Sequence, residues 1–111
     1  MRYMLLICGE EPETSGSEGS ADLPGCDGWA AEMARRGVLL GGAGLQPSGT
    51  ATTVRVRDDE VLIVDGPFAE TKDQIGGFAL IECADLDEAI EVASSHPAAG
   101  RWSVEIRPIW E

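Results

Sequence analysis

Basic residues, aromatic residues and histidine are all scarce in this chain. Eight lysines and arginines stand against 20 aspartates and glutamates in 111 residues, a net charge of −12. A nucleic-acid partner needs a basic face whose counterion release drives binding, so the balance argues against one, and equally against anionic membrane surfaces. The bland consequence of the acidity is colloidal stability. Three cysteines, Cys8, Cys26 and Cys83, are an odd number without C-x-x-C spacing. They fit reduced thiols better than a disulfide framework. No run approaches the roughly 18 apolar residues of a membrane span. The opening Met1–Cys8 is too short for a secretory h-region and lacks a small-residue cleavage site. These absences predict a cytoplasmic protein. One histidine among scattered acids gives no metal-ligand spacing, and Gly41-Gly42-Ala43-Gly44 lacks the G-x-G-x-x-G pattern. Neither a metal nor a dinucleotide cofactor is expected.

What the chain does have is the run Val64–Gly77, V-D-G-P-F-A-E-T-K-D-Q-I-G-G. The apolar Val61–Val64 runs straight into a turn dipeptide, a proline, an aromatic and a charged cluster. Binding residues carried by a loop on a rigid scaffold have this look.

Around it, the pattern predicts one domain, residues 1–111, with a flexible acidic Gly/Ser-rich loop over 9–26. Residues 1–8 read as a first strand. A short helix follows, with Asp27 as N-cap, Trp29, Ala30, Met33 and Ala34 as its apolar stripe and Gly37 at C′. Val38–Leu45 marks a tight passage back toward a sheet. Residues 52–57 alternate as a half-buried strand, Asp58-Asp59-Glu60 turns, and 61–65 returns antiparallel. Phe78–Cys83 reads as a central strand. Asp85 and Glu88 then open a second helix in near-capping-box form, with Leu86, Ala89, Ile90 and Ala93 as its buried stripe and Pro97 ending it at His96. The last strand sets Trp102, Val104 and Ile106 against Ser103, Glu105 and Arg107. The class is α+β, a ferredoxin-like β-α-β-β-(β)-α-β plan. Two helices cover one face of such a sheet. The other face, for which Trp102, Trp110 and Tyr3 are expected as apolar surface, calls for a partner, and a homodimer is the simple answer.

The run V-D-G-P-F-A-E-T-K-D-Q-I-G-G-F-A-L-I-E resembles the signature of the DGPF domain, a branch of the YCII-related superfamily. Further matches are M-R-Y-M-L-L-I, G-V-L-L-G-G-A-G-L-Q-P, T-A-T-T-V-R-V-R-D, A-D-L-D-E-A-I and V-E-I-R-P-I, so the likeness covers nearly the whole chain. It implies a dimeric α/β-barrel of ferredoxin-like halves. Many DGPF proteins are encoded beside, or fused to, extracytoplasmic-function sigma factors, which implies a sigma-factor-related protein as an alternative partner. Superfamily relatives use a His-Asp pair, one of them in a hydrolytic dechlorination. Its histidine lies early on the first helix, where this chain has Cys26 and Asp27. Its aspartate precedes a proline after the second helix, where this chain has His96 before Pro97. The pair is absent as such.

The candidate residues each carry two readings. Asp65, at the end of an apolar strand, is a partly desolvated general base or the first residue of an Asp-Gly-Pro turn. His96 is an acid/base partner for Asp65 or Glu70 across a dimer pocket, or an imidazolium at a helix C-terminus. Phe68 is a stacking platform or an interface anchor. Glu70, Lys72 and Asp73 line a pocket, with Lys72 orienting an anionic group, or form a solvated charged run. Arg107 holds an anion or pairs with Glu105 or Glu82. The expected function is small-molecule binding near the D-G-P-F loop with acid/base or hydrolytic chemistry. The alternative is a non-catalytic regulatory protein.

Overall fold

A computed structural model describes residues 1–10, 25–67 and 73–111. Six strands and three helices occur among them: β1 (Arg2–Glu10), α1 (Cys26–Arg35), β2 (Leu39–Gly44), β3 (Thr52–Arg57), β4 (Glu60–Asp65), β5 (Asp73–Glu82), α2 (Leu86–Ser94), α3 (Pro97–Arg101) and β6 (Ser103–Pro108). The main sheet is antiparallel, in the order β2-β5-β1-β6. With β3 and β4 set aside as an insertion, that is the β-α-β-β-α-β order of a ferredoxin-like fold.

Alternation along the strands decides which face is covered. Tyr3, Leu5 and Ile7 of β1 and Ala79 and Ile81 of β5 are buried, with Val104 and Ile106 of β6 packed against them. They meet Trp29 and Met33 of α1 and Ala89, Val92 and Ala93 of α2 in one core. Both helix ends follow from local sequence. At the end of α1, Gly37 adopts φ 74° and its N–H donates to Ala34 O, while the Val38 N–H reaches back to Met33 O, a Schellman ending. At the start of α2 the Asp85 carboxylate accepts from the Glu88 N–H at 2.9 Å, and Glu88 Oε1 accepts from the Ala84 N–H at 2.8 Å. The capping box is therefore shifted by one residue from its usual partner.

Several expectations need correction. Leu39–Gly44 is a full edge strand, made despite three glycines because Gly42 must lie flat against β5: a Cβ there would stand 2.5 Å from Phe78 O. The chain after Ile75 continues in β5, where a bulge absorbs Gly76 and restores the register at Gly77. The buried stripe of α2 is Ala89, Val92 and Ala93, which leaves Leu86 and Ile90 exposed. The N-cap of α1 is Gly25 rather than Asp27, which stands in its first turn. Pro97 ends α2 but also opens α3, whose first turn tolerates proline. Tyr3 and Trp102 belong to the helix-covered side, Trp102 resting on Gly9.

The hairpin of β3 and β4 forms its own two-stranded sheet. Asp58 and Asp59 both take positive φ, 51° and 63°, which makes the two-residue turn whose twist suits a hairpin. Every residue of β4 is exposed.

Candidate functional site

Two concavities flank the main sheet, one on each face. The first, about 380 Å³, lies on the helix side, where α1 leaves part of β2 and β5 uncovered. Its floor exists because the residues that should project there are nearly side-chain-free: Gly42, Gly44, Gly77 and Ala79. Ile7 and Leu39 add apolar walls, while Cys26, Asp27 and Trp29 of α1 and His96 close the other side. The volume falls in the range of small-molecule sites, which are mostly apolar with a few polar groups.

His96 is the buried polar residue of the described chain, 7% exposed. Its Nδ1 accepts from the Ala98 N–H at 3.0 Å, which caps α3. That bond requires a lone pair on Nδ1, so in the neutral ring the proton sits on Nε2. Burial lowers the His96 pKa from its ordinary value, which favours the same neutral form. The imidazolium at a helix C-terminus is thus replaced by a neutral imidazole at a helix N-terminus. Trp29 holds the ring from one side and donates Nε1–H to Val92 O (3.2 Å) and Ser95 Oγ (3.0 Å), tying α1 to α2 beside the cavity. The Cys26 thiol is pushed up by burial and then by Asp27, so it is held in the protonated form.

The second concavity, about 970 Å³, lies on the uncovered face. Leu6, Cys8 and Ile75 form its floor, Ser103, Glu105 and Arg107 of β6 one side, and Pro47–Ala51 with Pro67 the other. Pro67, the last described residue of the D-G-P turn, lines this cleft, as does Arg107, whose Nη1 donates to Glu105 Oε2 at 3.1 Å.

The candidate residues are therefore distributed. His96 is on the helix side and Arg107 on the open face, with the sheet between them. Asp65 pairs with Thr52 at the root of the hairpin and is exposed in the single chain, without the partial desolvation expected of it. Asp73 begins β5 opposite Glu10. Phe68, Glu70 and Lys72 lie outside the described residues. Residues 26–27 and 96, where the resemblance puts the superfamily pair, line one cavity. The sequence placed Trp29 in the apolar stripe of the first helix but did not reveal its contact with His96 or the glycine floor of that cavity. The available signal was small residues at alternate positions, Gly42 and Gly44, facing Ala79 and Gly77.

A family model described as the YCII-related domain matches residues 1–111. The chain belongs to the YCII-related domain family. An uncharacterised protein of Rhizobium meliloti (strain 1021) is 46% identical over 71 residues, covering 60% of this chain and 56% of that protein. The match thus spans little more than half of the relative's length. In this YCII-related domain, a buried histidine and the Cys26–Asp27 turn of α1 line the same cavity. No helix among the described residues is long and apolar enough to cross a membrane.

Proposed function

We propose that this YCII-related domain binds a small molecule in the helix-side cavity, as part of a homodimer of the α/β-barrel kind. One observation carries the reading: the buried, neutral His96 lines a roughly 380 Å³ cavity together with Asp27 and Cys26, residues from a different element. A titratable group whose pKa is displaced by burial, set in a concave site, is a mark of function. With Nδ1 engaged by Ala98, the neutral ring has Nε2–H to offer, a donor suited to polarising a carbonyl or holding a hydroxyl oxygen. Asp27 supplies a carboxylate to the lining of the same cavity. Acid/base chemistry on a small, largely apolar substrate with one oxygen handle is the activity this arrangement supports. The open sheet face and its D-G-P cleft support the dimer, since no helix among the described residues covers them.

A ligand-detected NMR fragment screen tests the binding claim, run on the wild type and on Ala30→Leu, since Ala30 lines the cavity and the larger side chain intrudes on it. Hits that vanish with Ala30→Leu and weaken with His96→Asn support it. Hits indifferent to both variants place binding elsewhere.

A further inference from the structure

The first turn of α1 and the ring of His96 are held side by side by two contacts. Gly25, the N-cap, adopts φ 94° and stands against Pro97, where a Cβ would come to 3.2 Å from Pro97 Cγ. Trp29, one turn later, sets its indole against the His96 ring with centroids 4.7 Å apart. The amides of Asp27 and Gly28 lie between these contacts. They precede the first intrahelical bond, Trp29 N–H to Gly25 O at 2.9 Å. Amides so placed need acceptors from outside the helix, and a glycine N-cap has no side chain to supply one. His96 contributes a further donor. Its Nε2 has no partner among the described residues, yet none of them buries an unpaired side-chain nitrogen. Nε2 is therefore open, and for a residue 7% exposed the opening is the cavity that it lines with Cys26 and Asp27.

Charge decides what these donors fit. A helix N-terminus carries roughly half a positive charge, and the Asp27 carboxylate in the same lining carries a full negative one. No lysine or arginine lines the cavity among the described residues. The wall thus offers hydrogen-bond donors without net positive charge, on a chain of net charge −12. A carboxylate or phosphate group finds nothing there to offset its own charge. A carbonyl oxygen has two lone pairs and no proton to place, which matches a pair of neighbouring donors. Ile7, Trp29, Ala30 and Leu39 over the glycine floor suit an apolar body.

We infer that the cavity takes an uncharged carbonyl compound, its oxygen held between the N-terminal amides of α1 and His96 Nε2–H. This rests on the binding reading above and names the ligand class. Donors of this kind polarise a C=O bond and favour charge developing on its oxygen. His96 acts as a donor and not as a base, because Nδ1, the nitrogen that could take a proton, is engaged by the Ala98 N–H.

Four probes test it on the full chain: acetophenone, the alcohol obtained by reducing it, benzoate and ethylbenzene. They share an apolar body and differ in the polar group. Acetophenone should bind about tenfold tighter than ethylbenzene, the worth of roughly one hydrogen bond, with benzoate and the alcohol weaker than the ketone. His96 is the chain's one histidine, so isotope labelling of histidine reports this ring alone. Acetophenone should move its Nε2–H signal downfield, and ethylbenzene should not. In isotope-edited infrared spectra the bound carbonyl stretch should fall below its frequency in hexane. His96→Asn keeps an acceptor for the Ala98 N–H and loses Nε2–H, so the preference for the ketone should shrink at least about fivefold. His96→Gln, whose amide N–H reaches the Nε2 position, should restore part of it. Both spectra are taken on the wild type and decide the matter even if a variant fails to fold. Ethylbenzene binding as tightly as acetophenone, with the histidine signal unmoved, keeps a binding cavity and overturns the carbonyl class. Benzoate as the tightest ligand means an anion site, and the alcohol as the tightest a hydroxyl site, and either overturns it. So does failure of all four to bind, in which case the fragment screen reports separately whether the cavity binds at all.

Discussion

The ring of His96 meets the indole of Trp29 edge-on, with centroids 4.7 Å apart and planes at 67°. Protonation of the ring would take away the Nδ1 lone pair that Ala98 uses and place a charge in a buried site. The pH dependence follows. The His96 pKa is lowered in the folded state, so between that value and the unfolded 6.5 the unfolded chain binds more protons. Stability from this group is fully present above pH 6.5 and declines as pH falls below it. Urea midpoints at pH 7.5 and 5.0 should show a loss in the wild type. His96→Asn keeps an acceptor for the Ala98 amide without titrating, and should show a smaller loss.

Trp29→Phe removes the indole N–H that links α1 to Val92 O and Ser95 Oγ. Ser95 Oγ still donates to Val92 O at 2.7 Å, so no buried acceptor is stranded. The expected cost is about 1 kcal/mol in urea denaturation. A cost several times larger would show that the indole's packing, rather than its hydrogen bonds, joins the two helices.

Asp85→Ala deletes the cap of α2 and should cost about 1 kcal/mol, while Asp85→Asn stays within a few tenths. Chemical denaturation of the two variants separates capping from charge.

Gly42→Ala pushes a methyl to 2.5 Å from Phe78 O, against backbone that cannot swing away, and should cost about 1–3 kcal/mol. Gly41→Ala, one residue earlier, meets nothing within 4 Å and should be near neutral. Equal melting temperatures for the two would contradict the close β2–β5 approach. Gly42→Ala also intrudes on the cavity floor, so fragment binding should fall with it and persist in Gly41→Ala.

Local signals marked the elements well wherever the physics is local. Asp85 and Gly37 announced helix ends because caps satisfy orphan backbone groups from within a few residues. Period-two alternation placed the β3–β4 hairpin and the two faces of β6 for the same reason. The edge strand β2 was hidden because its glycines carry no periodic signal, and only contact with β5 makes them extended. Leu86 and Ile90 looked like core because a 3.6-residue period cannot tell which of two overlapping stripes meets the sheet. Helix α3 was hidden behind a proline that both ends one helix and begins the next.

The sequence by itself determined the family, the ferredoxin-like class and the acidic, thiol-bearing character of the chain, since signature, alternation and composition are properties of neighbours along the chain. Only the tertiary structure decided that His96 is buried and neutral, that it shares a cavity with Cys26 and Asp27, and that the sheet separates it from Arg107. Sheet order and the side of each strand on which the helices settle are long-range matters, and no spacing in the chain encodes them directly. The apolar run that leads into D-G-P-F, read as the return strand of an antiparallel pair, forms that pair as a separate two-stranded sheet in which every residue of β4 is exposed.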